Sequence, residues 1–108
     1  CFAGPADRLS YLMQQNGALS AEGTEMPQLS DDPLIVLTDL NSASASELFA
    51  AAIRDTGSGL LVGGRTYGKG VAQVLLDASL FPDCFSEGDA LKITTYRFFG
   101  PAAPATTP

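Results

Sequence analysis

Two short segments of this 108-residue chain carry side chains that suit acyl-transfer chemistry. The first is the run N-S-A-S-A-S-E at residues 41–47, with Ser44 at its centre. The second is Y-G-K-G at residues 67–70, which contains Lys69. The chain has no histidine, so a serine nucleophile would need another general base, and lysine is the usual substitute. The two segments therefore indicate a serine activated by a lysine.

The serine run has a second interpretation. Residues 44–47 fit the S-x-x-E capping box, in which Ser44 bonds the first turn of a helix and Glu47 reaches back. A serine at such a helix start also lies beside unpaired backbone N–H groups, where a developing oxyanion is stabilised. The spacing fits both roles, and it does not say whether Ser42, Ser44 or Ser46 would be the nucleophile.

The lysine segment partly matches a nucleotide-binding motif. Residues 63–69 fit the first seven positions of the G-x-x-x-x-G-K-[ST] phosphate loop. However, Gly70 stands where a hydroxyl must bind magnesium, and residues 71–76 have a strand pattern where a helix is required. We therefore expect no nucleotide binding. The simplest alternative is that Lys69 is a solvated loop lysine.

Composition narrows the classes of partner. Six basic and twelve acidic residues give a net charge of −6, which argues against nucleic acid as the main partner. No apolar run approaches the roughly 20 residues that a membrane-spanning helix needs. Two cysteines, Cys1 and Cys84, are too few to indicate a disulfide framework, so their redox state stays open. We expect no metal and no cofactor.

The elements around the two segments predict an α/β fold. Residues 34–38 form a β-branched apolar run typical of a central strand covered on both faces. An amphipathic helix follows over residues 47–56, and a second buried strand over 59–63, which together predict a parallel strand-helix-strand unit. Residues 71–76 and 91–99 are also strand-like and are expected to pair, with a long loop between them.

The termini are predicted to be simpler. Leu9, Leu12 and Met13, followed by Gly17, have the spacing and glycine stop of a short helix over residues 5–16. Residues 17–32 show no period and predict an irregular connection. We thus divide the chain into residues 1–32 (helix and connection), 33–100 (core segment) and 101–108 (a flexible proline-rich tail).

Three blocks of sequence, at residues 33–47, 61–73 and 89–101, closely resemble the C-terminal processing peptidases, also called tail-specific proteases. The blocks agree with this family in order, spacing and residue type. The resemblance implies a crotonase-like protease core. By motif it assigns the nucleophile to Ser44, the base to Lys69, the orienting glutamine to Gln73 and one oxyanion donor to the N–H of Ala45. It implies a polypeptide substrate and an extracytoplasmic location.

The family chemistry makes physical sense. A lysine accepts a proton only when its amine is neutral, and an uncharged glutamine can orient the amine without stabilising its charge. Family members also carry a PDZ domain and an upstream D-L-R-x-N-x-G-G segment with a second oxyanion donor, and neither occurs in these 108 residues. We therefore expect a fragment of the protease core. A non-catalytic peptide-binding or assembly module is the alternative, and exposed sheet edges favour homo-oligomers.

Overall fold

The computed structural model describes residues 4–102 and contains two sheets and one helix. A four-stranded antiparallel sheet has the strand order β2-β1-β6-β5, and a two-stranded parallel sheet is formed by β3 and β4. In chain order the elements are β1 (Ala6–Gln14), β2 (Leu19–Thr24), β3 (Ile35–Thr38), α1 (Ala45–Asp55), β4 (Leu60–Gly63), β5 (Val71–Asp77) and β6 (Ala90–Phe99). Cys1 and residues 103–108, most of the predicted tail, lie outside the described residues.

The helix predicted over residues 5–16 is wrong, because this segment is strand β1. Alternate residues Leu9, Tyr11 and Met13 share one face of the strand. β1 pairs with β2 on one side and with β6 on the other, so Tyr11 lies opposite both Ala21 and Phe99. Strand pairing decides the conformation here, and a helical spacing of apolar residues cannot reveal partners that come from distant parts of the chain.

The irregular connection predicted over residues 17–32 is also partly wrong. Gly17 does not end a helix but lies in the turn between β1 and β2, with a φ of 81° that favours glycine. The N–H of Gln14 donates to the carbonyl of Ala18 at 2.9 Å across this turn. β2 then occupies residues 19–24, and only the stretch from there to β3 is irregular.

The predicted strand-helix-strand unit is confirmed. β3 and β4 are parallel, with Ile35 opposite Leu60, and α1 connects them. Among the described residues Ala50 and Ile53 of α1 are the fully buried apolar side chains, so this helix carries the centre of the core. The helix ends as expected at Gly57, which has a φ of 68° and whose N–H donates to the carbonyl of Arg54.

Burial of β3 on both faces, by contrast, is not observed. In the described part of the chain β3 has β4 as its single neighbour, and Ile35 and Leu37 are 60% and 77% exposed. Leu60 on β4 is 61% exposed. A continuous apolar run allows a strand to be buried on both faces. In the described residues, however, a helix covers only one face of this sheet.

The expected pairing of the last two strands is confirmed. β5 and β6 are antiparallel and are joined by a loop with several turns over residues 78–89. The pairing shifts register between Ala72, which lies opposite Tyr96, and Gln73, which lies opposite Thr94, so Thr95 of β6 is the extra residue of a bulge. The structure therefore places the lysine segment immediately before a strand, as predicted, and not before a helix.

Candidate active site

The serine turn, residues 39–44, connects the end of β3 to the start of α1. The Asp39 carboxylate accepts hydrogen bonds from the N–H groups of Asn41 at 2.8 Å and Ser42 at 3.2 Å. The hydrogen bond from the Asn41 N–H is the main cause that lowers the pKa of Asp39. This local network lets the chain reverse direction within a few residues and begin α1 at a defined position.

Ser44 differs from the neighbouring serines in its backbone conformation. Its φ of 57° and ψ of −118° make it the one non-glycine residue with positive φ in the described chain. A residue with a Cβ in such a sparsely populated region carries strain of about 1–3 kcal/mol. Sequence spacing left Ser42, Ser44 and Ser46 equivalent, whereas the backbone singles out Ser44 at a sharp turn between a strand and a helix.

The residue that follows Ser44 presents a backbone donor at the start of the helix. Ala45 is the first residue of α1, so its N–H has no acceptor within the helix. The positive end of the helix dipole lies at the same place. An oxyanion formed beside Ser44 would therefore meet a favourable electrostatic environment. Ala45 also lines an open groove with Val36, Leu37 and Phe49, which gives an apolar surface next to the turn.

The lysine turn, residues 64–70, begins where β4 ends and is bound upstream of Lys69 to the last residue of β3 and to the serine turn. The N–H of Gly64 donates to the carbonyl of Thr38 at 2.8 Å, and the Thr38 hydroxyl donates to the carbonyl of Gly64 at 2.9 Å. The N–H of Tyr67 donates to the carbonyl of Ser42 at 3.0 Å. The two sequence segments thus run side by side.

Glu47 connects the two turns directly. Its Oε2 accepts hydrogen bonds from the N–H groups of Ser44 and Lys69, each at 2.9 Å, and its Oε1 accepts one from the N–H of Gly68 at 2.6 Å. Partial burial raises the pKa of the Glu47 carboxyl. Hydrogen bonds from the Thr66 side chain and from the three N–H groups lower it further than burial raises it, so the net pKa is below its usual value.

Lys69 and Gln73 occupy different surroundings. Lys69 is half-buried and lines a concavity between α1 and β6 together with Leu48, Ala51 and Phe98. Gln73 is exposed on β5, and its Nε2 donates to the hydroxyl of Thr94 on β6 at 3.2 Å. Among the described hydrogen bonds, the backbones of Ser44 and Lys69 are linked through Glu47, and none joins the Ser44 hydroxyl, the Lys69 amine and the Gln73 amide to one another.

The bridging role of Glu47 is what sequence reasoning missed. The S-x-x-E spacing predicted that Glu47 would bond the N–H of Ser44, and the structure confirms that bond. The two further bonds to Gly68 and Lys69 depend on residues more than 20 positions away. The signal available in the sequence was the acidic residue on the first turn of a helix that faces a glycine-rich segment.

Three further observations concern the described part of the chain. Residues 4–102 contain no group of three or more His, Cys, Asp or Glu side chains arranged to bind a metal ion. Cys84 is a free, exposed thiol in the loop between β5 and β6. No helix among these residues is long and apolar enough to cross a membrane.

Comparison of the sequence with known proteins finds matches among peptidases. The sequence model of peptidase family S41 matches residues 5–107. Carboxyl-terminal-processing peptidase 3, chloroplastic, of Arabidopsis thaliana is 41% identical over 71 residues, covering 66% of this chain and 12% of that protein. The carboxyl-terminal-processing protease of Picosynechococcus sp. is 34% identical over 91 residues, covering 84% of this chain and 21% of that protein.

A solved structure is similar as well. The photosystem II D1 C-terminal processing protease superposes with a TM-score of 0.66 at 33% sequence identity. The match covers 94% of this chain and 25% of that chain. The combination of strands and helix described above is therefore shared with a C-terminal processing protease. This chain spans about a quarter or less of the length of each of these relatives.

Proposed function

Because this chain belongs to peptidase family S41, we propose that it supplies the serine and lysine of a C-terminal processing endopeptidase. In this proposal Ser44 is the nucleophile, Lys69 is the general base and Gln73 orients the lysine. The N–H of Ala45 provides one oxyanion donor. The substrate is a polypeptide cleaved near its C-terminus, the core is crotonase-like, and the reaction takes place outside the cytoplasm.

The chemistry proceeds through an acyl-enzyme. The neutral Lys69 amine takes the proton from the Ser44 hydroxyl as its oxygen attacks a peptide carbonyl, and the Ala45 N–H donates to the oxyanion. Lys69 then gives the proton to the departing amine, which leaves Ser44 as an ester. Water attacks this ester with Lys69 again as the base. Leu48, Ala51 and Phe98 line the concavity beside Lys69.

The strained backbone of Ser44 is the observation that carries the proposal. Strain of this kind persists when the surrounding structure enforces it, and it is concentrated at functional sites. A nucleophile elbow likewise presents its serine on a sharp turn from a strand to a helix. The hydrogen bonds between the serine and lysine turns give further support. Catalytic hydrogen bonds between side chains are often long without substrate, so their absence among those described is compatible with this role.

Labelling by a fluorophosphonate tests the proposal, because the probe reacts with an activated serine. Intact mass of the wild type is compared with Ser44→Ala, Lys69→Ala and Gln73→Ala, and with Ser46→Ala as the matched control. We expect labelling of the wild type and of Ser46→Ala, none of Ser44→Ala, and a strong loss in Lys69→Ala. Labelling that survives in Ser44→Ala, or that is unchanged in Lys69→Ala, would contradict the assignment.

One observation favours a second candidate function, a module that assembles with a protein partner without catalysis. The apolar side chains of Ile35, Leu37 and Leu60 on the parallel sheet are mostly exposed, and Ile35 lies directly opposite Leu60. A folded sample that stays unlabelled while it binds peptide without cleaving it would support this candidate. Labelling is followed over a long incubation, so that a slow reaction is distinguished from none.

A further inference from the structure

The geometry points to Glu47 as a positioning residue, and we propose that its charged carboxylate fixes the Lys69 turn against the start of α1. The three hydrogen bonds that Glu47 accepts from the N–H groups of Ser44, Gly68 and Lys69 are called here the Glu47 bridge. The catalytic purpose of this bridge rests on the proposed function of Ser44 and Lys69. The existence of the bridge does not depend on that function, and it can be tested separately.

The bridge does more than cap the helix. In a capping box the acidic side chain accepts one bond, from the N–H of the N-cap residue, here Ser44. The other two donors, Gly68 and Lys69, lie 21 and 22 residues further along the chain. The bonds of Thr38 and Tyr67 hold the earlier part of the lysine turn. The Glu47 bridge holds the backbone of Gly68 and of Lys69 itself. The backbone from which the Lys69 side chain departs is therefore placed relative to Ser44.

Both oxygens of the carboxylate are required. Oε1 accepts from Gly68, and Oε2 accepts from Ser44 and Lys69, so all three bonds point into acceptor lone pairs. Hydrogen bonds to an ionised acceptor are about twice as strong as neutral ones. A glutamine at this position offers a single carbonyl oxygen, and its NH₂ group would face at least one backbone N–H. Lys69 is the other titratable residue among the described ones that line the same concavity.

Nuclear magnetic resonance of the wild-type chain tests the bridge directly. The amide proton shifts of Ser44, Gly68 and Lys69 are followed from pH 7 to pH 3. We expect all three to report one shared titration with a midpoint below 4.5, the ordinary pKa of a glutamate carboxyl, because one carboxylate accepts from all of them. Glu47→Gln is expected to abolish this shared titration. Midpoints that differ between Ser44 and the Gly68–Lys69 pair would overturn the proposal.

Fluorophosphonate labelling then tests the positioning role. We expect Glu47→Gln to slow labelling of Ser44 at least about tenfold at pH 7 while the amide spectrum of β5 and β6 is unchanged, which a role in stability alone would not produce. Glu87→Gln, at an exposed loop carboxylate, is the control and is expected to label at the wild-type rate. An equal rate for Glu47→Gln and wild type would overturn the positioning role.

The two measurements separate the two hypotheses. If the wild type is not labelled while the three amides share one midpoint, the proposed function fails and the Glu47 bridge stands. If the wild type is labelled while the amides titrate separately, the bridge is wrong and the proposed function stands.

Discussion

Thr38 and Gly64 exchange two hydrogen bonds: the N–H of Gly64 donates to the Thr38 carbonyl at 2.8 Å, and the Thr38 hydroxyl donates to the Gly64 carbonyl at 2.9 Å. Thr38 is the last residue of β3, and Gly64 directly follows β4. The serine and lysine turns therefore leave the parallel sheet from one fixed point. These two hydrogen bonds fix the distance between the two turns without any contribution from the catalytic side chains.

Gly63→Ala is expected to disturb this junction. A Cβ on Gly63 would lie 2.1 Å from the Thr38 carbonyl oxygen, and the φ of 126° is one that other residues rarely adopt. We expect a loss of about 2 kcal/mol or more in the free energy of unfolding, measured by urea denaturation. Gly64→Ala is the control, since a Cβ there meets nothing within 4 Å. Equal losses in the two variants would show that the junction is not tightly packed.

The strain at Ser44 predicts that glycine at this position gives a more stable protein than alanine does. Both Ser44→Gly and Ser44→Ala remove the hydroxyl, but glycine tolerates a φ of 57° and alanine does not. We expect Ser44→Gly to be more stable than Ser44→Ala by about 1 kcal/mol in urea denaturation. At Ser46, inside α1, the order should reverse, because glycine destabilises a helix relative to alanine. The same order at both positions would argue against strain at Ser44.

Gln73→Glu tests the orienting role by charge. A carboxylate at this position would stabilise the protonated form of a neighbouring amine, so the base would become available only at higher pH. We expect the midpoint of the pH profile of fluorophosphonate labelling to rise by about one unit. Gln28→Glu, in the exposed connection before β3, is expected to leave the profile unchanged. An unshifted profile in Gln73→Glu would mean that residue 73 does not approach the amine.

Asp55 predicts a loss of stability in acid. The hydrogen bond from Arg54 is the main cause that lowers the pKa of Asp55, and the N–H of Ala102 also donates to this carboxylate. A lowered folded-state pKa contributes stability above the unfolded pKa, and this contribution is lost as pH falls through the folded value. We expect wild type to exceed Asp55→Asn in unfolding free energy at pH 7 and to approach it near pH 3. For the control Asp83→Asn, at an exposed loop position, we expect the difference in unfolding free energy from wild type to be the same at pH 7 and pH 3.

The exposed apolar face of β3 predicts self-association. Leu37 is 77% exposed on a strand whose face lacks a cover in the described residues. We expect sedimentation velocity to show concentration-dependent oligomers, and Leu37→Lys to shift the distribution toward monomer, since a charge at a buried interface is costly. Leu29→Lys is the control, because Leu29 is 69% exposed in the irregular connection. Monomeric wild type at all concentrations would exclude homo-oligomers through this face.

The sequence by itself determined the local elements of the core segment and its family. The β-branched run of β3, the amphipathic α1 with its stop at Gly57, and the β5–β6 pair all follow from short-range patterns, because propensity, periodicity and glycine conformation act over a few residues. The absence of histidine and the motifs around Ser44 and Lys69 suggested the chemistry.

The tertiary structure decided what depends on distant partners. β1 is a strand because β2 and β6 flank it, although Leu9, Leu12 and Met13 have helical spacing. The positive φ of Ser44 distinguishes it from adjacent serines, and the second function of Glu47 exists only where two turns meet. The pairing of β1 and the bonds from Gly68 and Lys69 to Glu47 join segments far apart in the chain, and such hydrogen bonds leave no periodic trace in the sequence.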